Sequence, residues 1–166
     1  MTKPSSAGLL FKGYILQGNV MTITKLLTLS TTIALTACGA GYQTTTDRTQ
    51  QPCGDSPRCV STQDSREDFK LAPFKLAPDT NINQVETVAL SFENAEVAAK
   101  EGNYLRVEYT SSVFRYVDDM EVRIQDGELL VRSEARIGYY DFEVNRKRVE
   151  AFRAKLIETG LVIANP

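Results

Sequence analysis

The strongest constraint on how this chain can fold is Asp126-Gly127, a dipeptide set between two runs that alternate apolar and polar residues. Met120, Val122 and Ile124 alternate with Glu121, Arg123 and Gln125. Beyond the dipeptide, Leu129, Val131, Ser133, Ala135 and Ile137 alternate with Leu130, Arg132, Glu134 and Arg136. Strict alternation describes a strand with one buried face. Asp-Gly supplies the two positive-φ positions of a tight hairpin turn, and a two-residue turn fixes the register. Ile124 should therefore face Leu129, and Val122 should face Val131, on the inner side. Glu121 should face Arg132 on the outer side, with Asp119 diagonal to Arg132. The outer ladder of Asp119, Glu121, Arg123, Arg132, Glu134 and Arg136 reads as a solvated face stitched by weak cross-strand pairs.

Asp118 breaks this pattern. It shares the inner face with Met120, opposite Ala135, and an inward carboxylate needs a partner to offset its desolvation. The next segment offers one. Val149, Phe152 and Leu156 form a helical apolar stripe, and Asn145 and Arg148 each lie one turn ahead of a stripe residue, so both project toward the sheet. Asp141 is the expected N-cap, with Glu143 in the first turn. The expectation is a buried structural network in which Asp118, Asn145 and Arg148 meet.

The runs FRYVDDMEV and LLVRSEARIGYYDFEVNRKRVEAFRAKL, with the earlier CGDSPRCVS, resemble a bacterial family catalogued as domain of unknown function 1499. The matching positions are Asp118, Asp119 and Glu121; Arg132, Ser133, Arg136 and Gly138; and Asp141, Asn145, Arg146 and Arg148. The resemblance runs from about Cys53 to Leu156 and implies a fold and a compartment more than an activity.

The N-terminal part reads as an address. Met21–Lys25 carries one positive charge, and Leu26–Leu35 is apolar but too short to span a bilayer. Leu35-Thr36-Ala37-Cys38 looks like a lipobox, whose cysteine thiol receives diacylglycerol. Residues 1–37 are thus expected to be a signal peptide with an over-extended start, Met21 being the true one. Residues 38–52 are expected to be the lipidated Cys38 and a flexible Gly-, Thr- and Gln-rich tether. Gly39 after the cysteine favours the outer membrane, periplasmic side, by the usual retention rule for a Gram-negative host. With Cys38 acylated, Cys53 and Cys59 remain as a pair in an oxidising compartment and should form a disulfide.

Residues 53–166 then make one domain. The repeated FKLAP of Phe69–Pro78 holds two prolines in ten residues and reads as an extended strap. Asn81–Phe92 reads as a helix capped by Asn81 with Gln84 three residues on, and Ile82, Val85, Ala89 and Phe92 line one side. Ala95–Ala99 and Tyr104–Ser111 read as a second hairpin around Glu101-Gly102-Asn103, with Val97 opposite Val107 and Ala99 opposite Leu105. Phe114 and Tyr116 are expected at the core edge, and Ile157–Pro166 as a docking tail. The fold class is α+β: a four-stranded antiparallel meander with two helices packed on one face, preceded by an extended disulfide-closed segment.

The chain has no histidine, which excludes imidazole-based triads and His-ligated metals. From Cys38 onward 16 Lys+Arg stand against 21 Asp+Glu, a net of −5, which argues against nucleic acid as a partner. Alternation places Asp118 on the opposite face from Asp119 and Glu121, so the three cannot chelate together, and neither metal nor cofactor is expected. Three readings of function follow. The first is a lipid-anchored binding or scaffolding module of the cell envelope, with the membrane as one partner and an envelope protein as another. The second is an enzyme using Asp118 and Asp119 on an anionic substrate held at Arg132, Ser133, Arg136 and Arg146. The third is a metal site at Asp118, Asp119 and Glu121, ranked last. The binding module leads because no complete catalytic set is present.

Overall fold

Period-two alternation becomes four long strands, and a fifth, short one extends the sheet beyond them. In the structure, a computed structural model that describes residues 46–164, the elements run β1 (Cys59–Ser61), α1 (Ile82–Ala89), β2 (Ala95–Glu101), β3 (Tyr104–Thr110), β4 (Val117–Gln125), β5 (Glu128–Ala135) and α2 (Val144–Glu158). The fold is α+β. Its sheet has five antiparallel strands in the order β1-β5-β4-β3-β2, where four were expected. The added strand is the CVS that ends the disulfide loop. Three residues are too few for alternation to announce them. They pair with the free edge of β5, Cys59 opposite Glu134 and Ser61 opposite Arg132.

The β4–β5 register is the one the turn dictates: Ile124 opposite Leu129, Val122 opposite Val131, Glu121 opposite Arg132 and Asp118 opposite Ala135. Asp126 and Gly127 take φ of 51° and 78°, the left-handed region that a type I′ turn requires. The β2–β3 hairpin departs from expectation. Val97 does face Val107, but a bulge then sets Ala99 opposite Arg106 and Lys100 opposite Leu105, leaving a two-residue connection, Gly102-Asn103. One extra residue on β2 shifts the partners by one. The alanine-rich edge strand buries little and so exerts little pull on register.

Helices α1 and α2 cover one face. Ile82, Val85, Val149, Phe152 and Leu156 pack with Leu105, Val107, Met120, Val122 and Val131, and the strap adds Leu71 and Phe74. Asn81 caps α1 with the reciprocal Gln84 bond, and the helix ends at Ala89, with Phe92 only partly buried beyond it. Helix α2 takes up Ile157 and Glu158. Val162 of the tail bridges to Leu76 of the strap. Phe114 and Tyr116, expected at the core edge, are instead exposed and stack on each other with centroids 5.6 Å apart.

The outer face is not solvated. Asp119, Glu121, Arg106 and Arg132 on that side are all buried. Part of the cover is the segment expected to be tether. From Asp47 onward the chain lies on the sheet, and Arg48 and Thr49 are buried. Cys53 and Cys59 form the disulfide, with Cα atoms 5.7 Å apart, and Phe69 packs against both cysteines. Asp64 ties this layer together. Its carboxylate accepts from Cys53 N at 2.9 Å and from Arg66 Nη2 at 2.8 Å. The expected signal segment and lipidated Cys38 lie outside the described residues.

A buried arginine–carboxylate network as the candidate functional site

Alternation sends Tyr104, Arg106 and Glu108 of β3, Asp119 and Glu121 of β4, and Arg132 and Glu134 of β5 to the same outer face, where they assemble with Arg48, Arg58 and Arg136. Glu121 is the centre. Its carboxylate accepts from Arg48 N at 2.8 Å, Arg48 Nε at 2.7 Å and the Tyr104 hydroxyl at 3.1 Å, and Arg48 Nη2 lies 2.6 Å away. Four donors on one buried carboxylate supply the compensation that desolvation demands. Arg48 Nη1 and Arg132 Nη1 both reach Glu134 Oε2 at 2.7 Å. Arg136 grips Asp119 with both prongs, Nε at 2.8 Å and Nη2 at 2.9 Å, and also pairs with Glu108. The Asp119 hydrogen bonds raise the pKa of Arg136 further above its already high ordinary value, so this cation is permanent. Burial, and next the Glu121 charge, push Tyr104 well above the usual phenol range, which keeps it a neutral donor. At the rim, Arg123 pairs with Asp47. Burial raises the Asp47 carboxyl, but bonds from Thr49 and Arg123 outweigh it and hold the group below its ordinary value.

The inner face carries a second, smaller network. Arg148 Nη2 donates to Asp118 Oδ2 at 2.7 Å, and its Nη1 donates to Asn145 Oδ1 at 2.9 Å. Ser133 Oγ donates to that same Asn145 oxygen at 2.5 Å. Asn145 Nδ2 reaches Asp141 Oδ2 at 2.8 Å. Asp141 holds the start of α2, though not from the cap position. Glu143 occupies that position in the left-handed region with no side-chain cap bond, while Asp141 accepts from the Glu143 and Asn145 amides at 3.0 and 2.9 Å.

The residues expected to form one anion site are therefore separated. Arg132 and Arg136 sit on the outer face and bind carboxylates. Ser133 faces inward to Asn145. Arg146 lies on α2 and donates to the Lys70 and Asp68 carbonyls at 3.0 and 2.8 Å. The expected structural set divides likewise, Asp119 and Glu121 outside, Asp118, Asp141, Asn145 and Arg148 inside. Among the described residues no group of three or more His, Cys, Asp or Glu is placed to hold a metal ion. Sequence reasoning passed over Tyr104, Arg106 and Glu108, although their alternation with Leu105, Val107 and Tyr109 marks the same outer face. Arg48 gave no such signal, because it precedes the first strand in a polar run.

Two concavities flank α2. One, about 330 Å³, lies between the disulfide loop and the helix start and is lined by Pro57, Asp68, Phe69, Tyr140, Asp141 and Arg146 among others. The other, about 520 Å³, is wide and shallow and runs from Phe92 and Tyr109 to Val144, Lys147 and Arg148. A much smaller cavity of about 70 Å³ sits inside the arginine network beside Arg58, Glu134 and Arg136.

An outer-face ion network, an inner polar relay and a disulfide-closed loop on an α+β sheet thus define the class of domain. Residues 50–156 match the family described as protein of unknown function (DUF1499), and the chain belongs to it. No curated protein and no solved structure matches the chain.

Proposed function

We propose that this chain is a lipid-anchored binding module of the cell envelope, held by diacylglycerol on Cys38 and facing the periplasm from the outer membrane. One observation carries the preference for binding over catalysis. The carboxylates and arginines best suited to chemistry are committed to one another in ion pairs, whereas the exposed aromatic side chains Phe114, Tyr116, Tyr139, Tyr140 and Phe142 cluster at one end of the sheet. Exposed aromatic clusters mark interaction surfaces. The disulfide between Cys53 and Cys59 agrees with an oxidising compartment. No helix among the described residues is long and apolar enough to cross a membrane, so attachment in this reading rests on the lipid. The test is metabolic labelling with an alkynyl fatty acid. The parent chain should carry label and fractionate with outer membranes, and Cys38→Ser should lose the label. An unlabelled parent with a mature N-terminus elsewhere would sink the anchor.

A second reading, action on a phosphate- or carboxylate-bearing substrate, draws on one feature. Arg58 Nε, on the 70 Å³ cavity that Asp119, Glu134 and Arg136 also line, is buried without a hydrogen-bond partner among the described residues, its nearest carboxylate oxygen being Glu134 Oε1 at 3.9 Å. Such a donor favours a small anion. A saturable rise in unfolding midpoint with inorganic phosphate, abolished by Arg58→Gln, supports it; a flat titration rejects it.

A further inference from the structure

We propose that the end of the sheet where β4 begins and β5 ends is a docking surface for the lipid bilayer, seating the domain on the membrane to which Cys38 tethers it. This deepens the anchored-module reading and rests on it.

Two loops leave the sheet side by side here. The β3–β4 loop carries Val113, Phe114 and Tyr116, and the β5–α2 loop carries Ile137, Tyr139 and Phe142. All six are exposed, Phe114 by 71% and Phe142 by 75%. The strands place the loops together, since Arg136 N donates to Val117 O at 3.2 Å, and Ser111, Ser112 and Val144 border one concavity. The rings are organised. Phe114 stacks on Tyr116, and Tyr140 meets Phe142 edge to face at 5.1 Å. The backbone holds them outward at a cost, with Arg115 and Phe142 at φ of 57° and 56°. A bulky aromatic in that region is an outlier whose strain persists only when its surroundings impose it.

Three arguments select a bilayer as the occupant. The first is composition: tyrosine settles at the headgroup boundary with its hydroxyl in water, and phenylalanine with aliphatic neighbours buries its ring on the acyl side. The second is shape and charge. The rings project from loop tips as a knob, and a second copy related by a twofold axis would press knob against knob, whereas lipid deforms around a projection. Arg115 stands at one tip. Behind the other, Lys147 lies 3.9 Å from Glu143 and offsets it, and the Asp141 carboxylate is turned inward to Asn145. Arg115 is exposed and is the cation at the tip on which an anionic leaflet acts. The third is reach. Cys38 precedes Asp47 by nine residues, which extend to at most about 30 Å. Asp47 is held at Arg123, six residues or about 20 Å along β4 from Val117, so a tether of that length spans the distance to the knob end and makes a weak contact there effectively intramolecular.

The chain has no tryptophan, so one introduced indole reports alone. Phe142→Trp and, as a control on the far sheet edge, Val97→Trp are made in the full chain and matured with its lipid. Each is reconstituted into vesicles of phosphatidylethanolamine and phosphatidylglycerol, with and without brominated acyl chains. The expected result is blue-shifted emission quenched by bromolipid for Phe142→Trp, and unshifted, unquenched emission for Val97→Trp. Adding Phe114→Ser to the Phe142→Trp chain should weaken its bilayer contact by about tenfold or more. If the N-terminal peptide carries diacylglycerol but the indole at position 142 stays open to aqueous quencher and blind to bromolipid, the docking surface is overturned and the anchor stands. If that indole shifts only on self-association, or only with an added envelope protein, the bilayer is likewise overturned as the occupant. If the peptide carries no lipid, the anchor fails, and the proximity argument fails with it.

Discussion

Neighbouring aspartates at the start of β4 point to opposite faces, and the face that looked solvated is the more deeply buried. Asp119 is 1% exposed at its side chain and gripped by Arg136; Asp118 is 13% exposed and shares Arg148 with Asn145. Asp119→Ala should therefore destabilise by about 3–5 kcal/mol, because it breaks a buried pair and leaves the Arg136 guanidinium with Glu108 alone. Asp118→Ala should cost about 1.5–3 kcal/mol, the scale of a charged hydrogen bond at a partly wet site. Chemical denaturation of the two variants checks the order, and a larger loss at Asp118 would mean that water enters the outer face. Asp64 supplies a pH signature. Its hydrogen bond from Arg66, against the cost of burial, lowers its pKa from 3.8 to about 2. The folded state thus holds the proton less tightly than the unfolded chain, so the stabilisation is complete above about pH 4 and disappears as pH falls toward about 2. Asp64→Asn should lower the unfolding midpoint at pH 7, and the gap to the parent should close across that window.

Among the elements, those fixed by local chemistry were readable in the sequence. Asp126-Gly127 set the β4–β5 register because a two-residue type I′ turn admits one pairing, and Asn81 with Gln84 set the start of α1 because both side chains satisfy amides within one turn. What escaped was decided at a distance. The short β1 forms because β5 leaves an edge to pair with. The bulge in β2 is tolerated because alanine on an exposed edge gives little register energy. The outer face is dry because Arg48, remote in sequence, lies across Glu121. The start of α2 lies between these cases. Asp141 was recognisable as its polar anchor, but Phe142 and Glu143 both take left-handed φ, which moves the helix start to Val144. With three bonds to the first turn, Asp141→Ala should cost about 1–2 kcal/mol, the scale of a lost N-cap. Thermal unfolding read by circular dichroism measures it, and a change under about 0.5 kcal/mol would show that packing alone holds the turn.

At the scale of the molecule, the two faces of one sheet are stabilised by different physics. The inner face buries aliphatic and aromatic side chains under α1 and α2, and its free energy scales with apolar area. The outer face buries ion pairs under residues 47–64, where the gain depends on every partner being present. Loss of a partner should accordingly open the outer layer without melting the core. Arg48→Ala removes the guanidinium from Glu121 and Glu134. Kept dry, those carboxylates would cost several kcal/mol; peeling the chain ahead of Cys53 admits water and costs only the contacts of a few residues. Opening should stop at Cys53, which is tied by its disulfide to Cys59 on β1 and by its amide to Asp64. Native-state hydrogen exchange should then find protection lost at the amides of residue 48, bonded to Glu121, and of Gln51, bonded to the residue 48 carbonyl. The β4 and β5 amides should keep the protection set by global unfolding. In the triple variant that adds Cys53→Ser and Cys59→Ser, the opening should extend past Cys53 toward β1. A uniform loss across β4 and β5 in Arg48→Ala alone would show instead that the two faces unfold as one unit, with Glu121 as a keystone of the whole sheet.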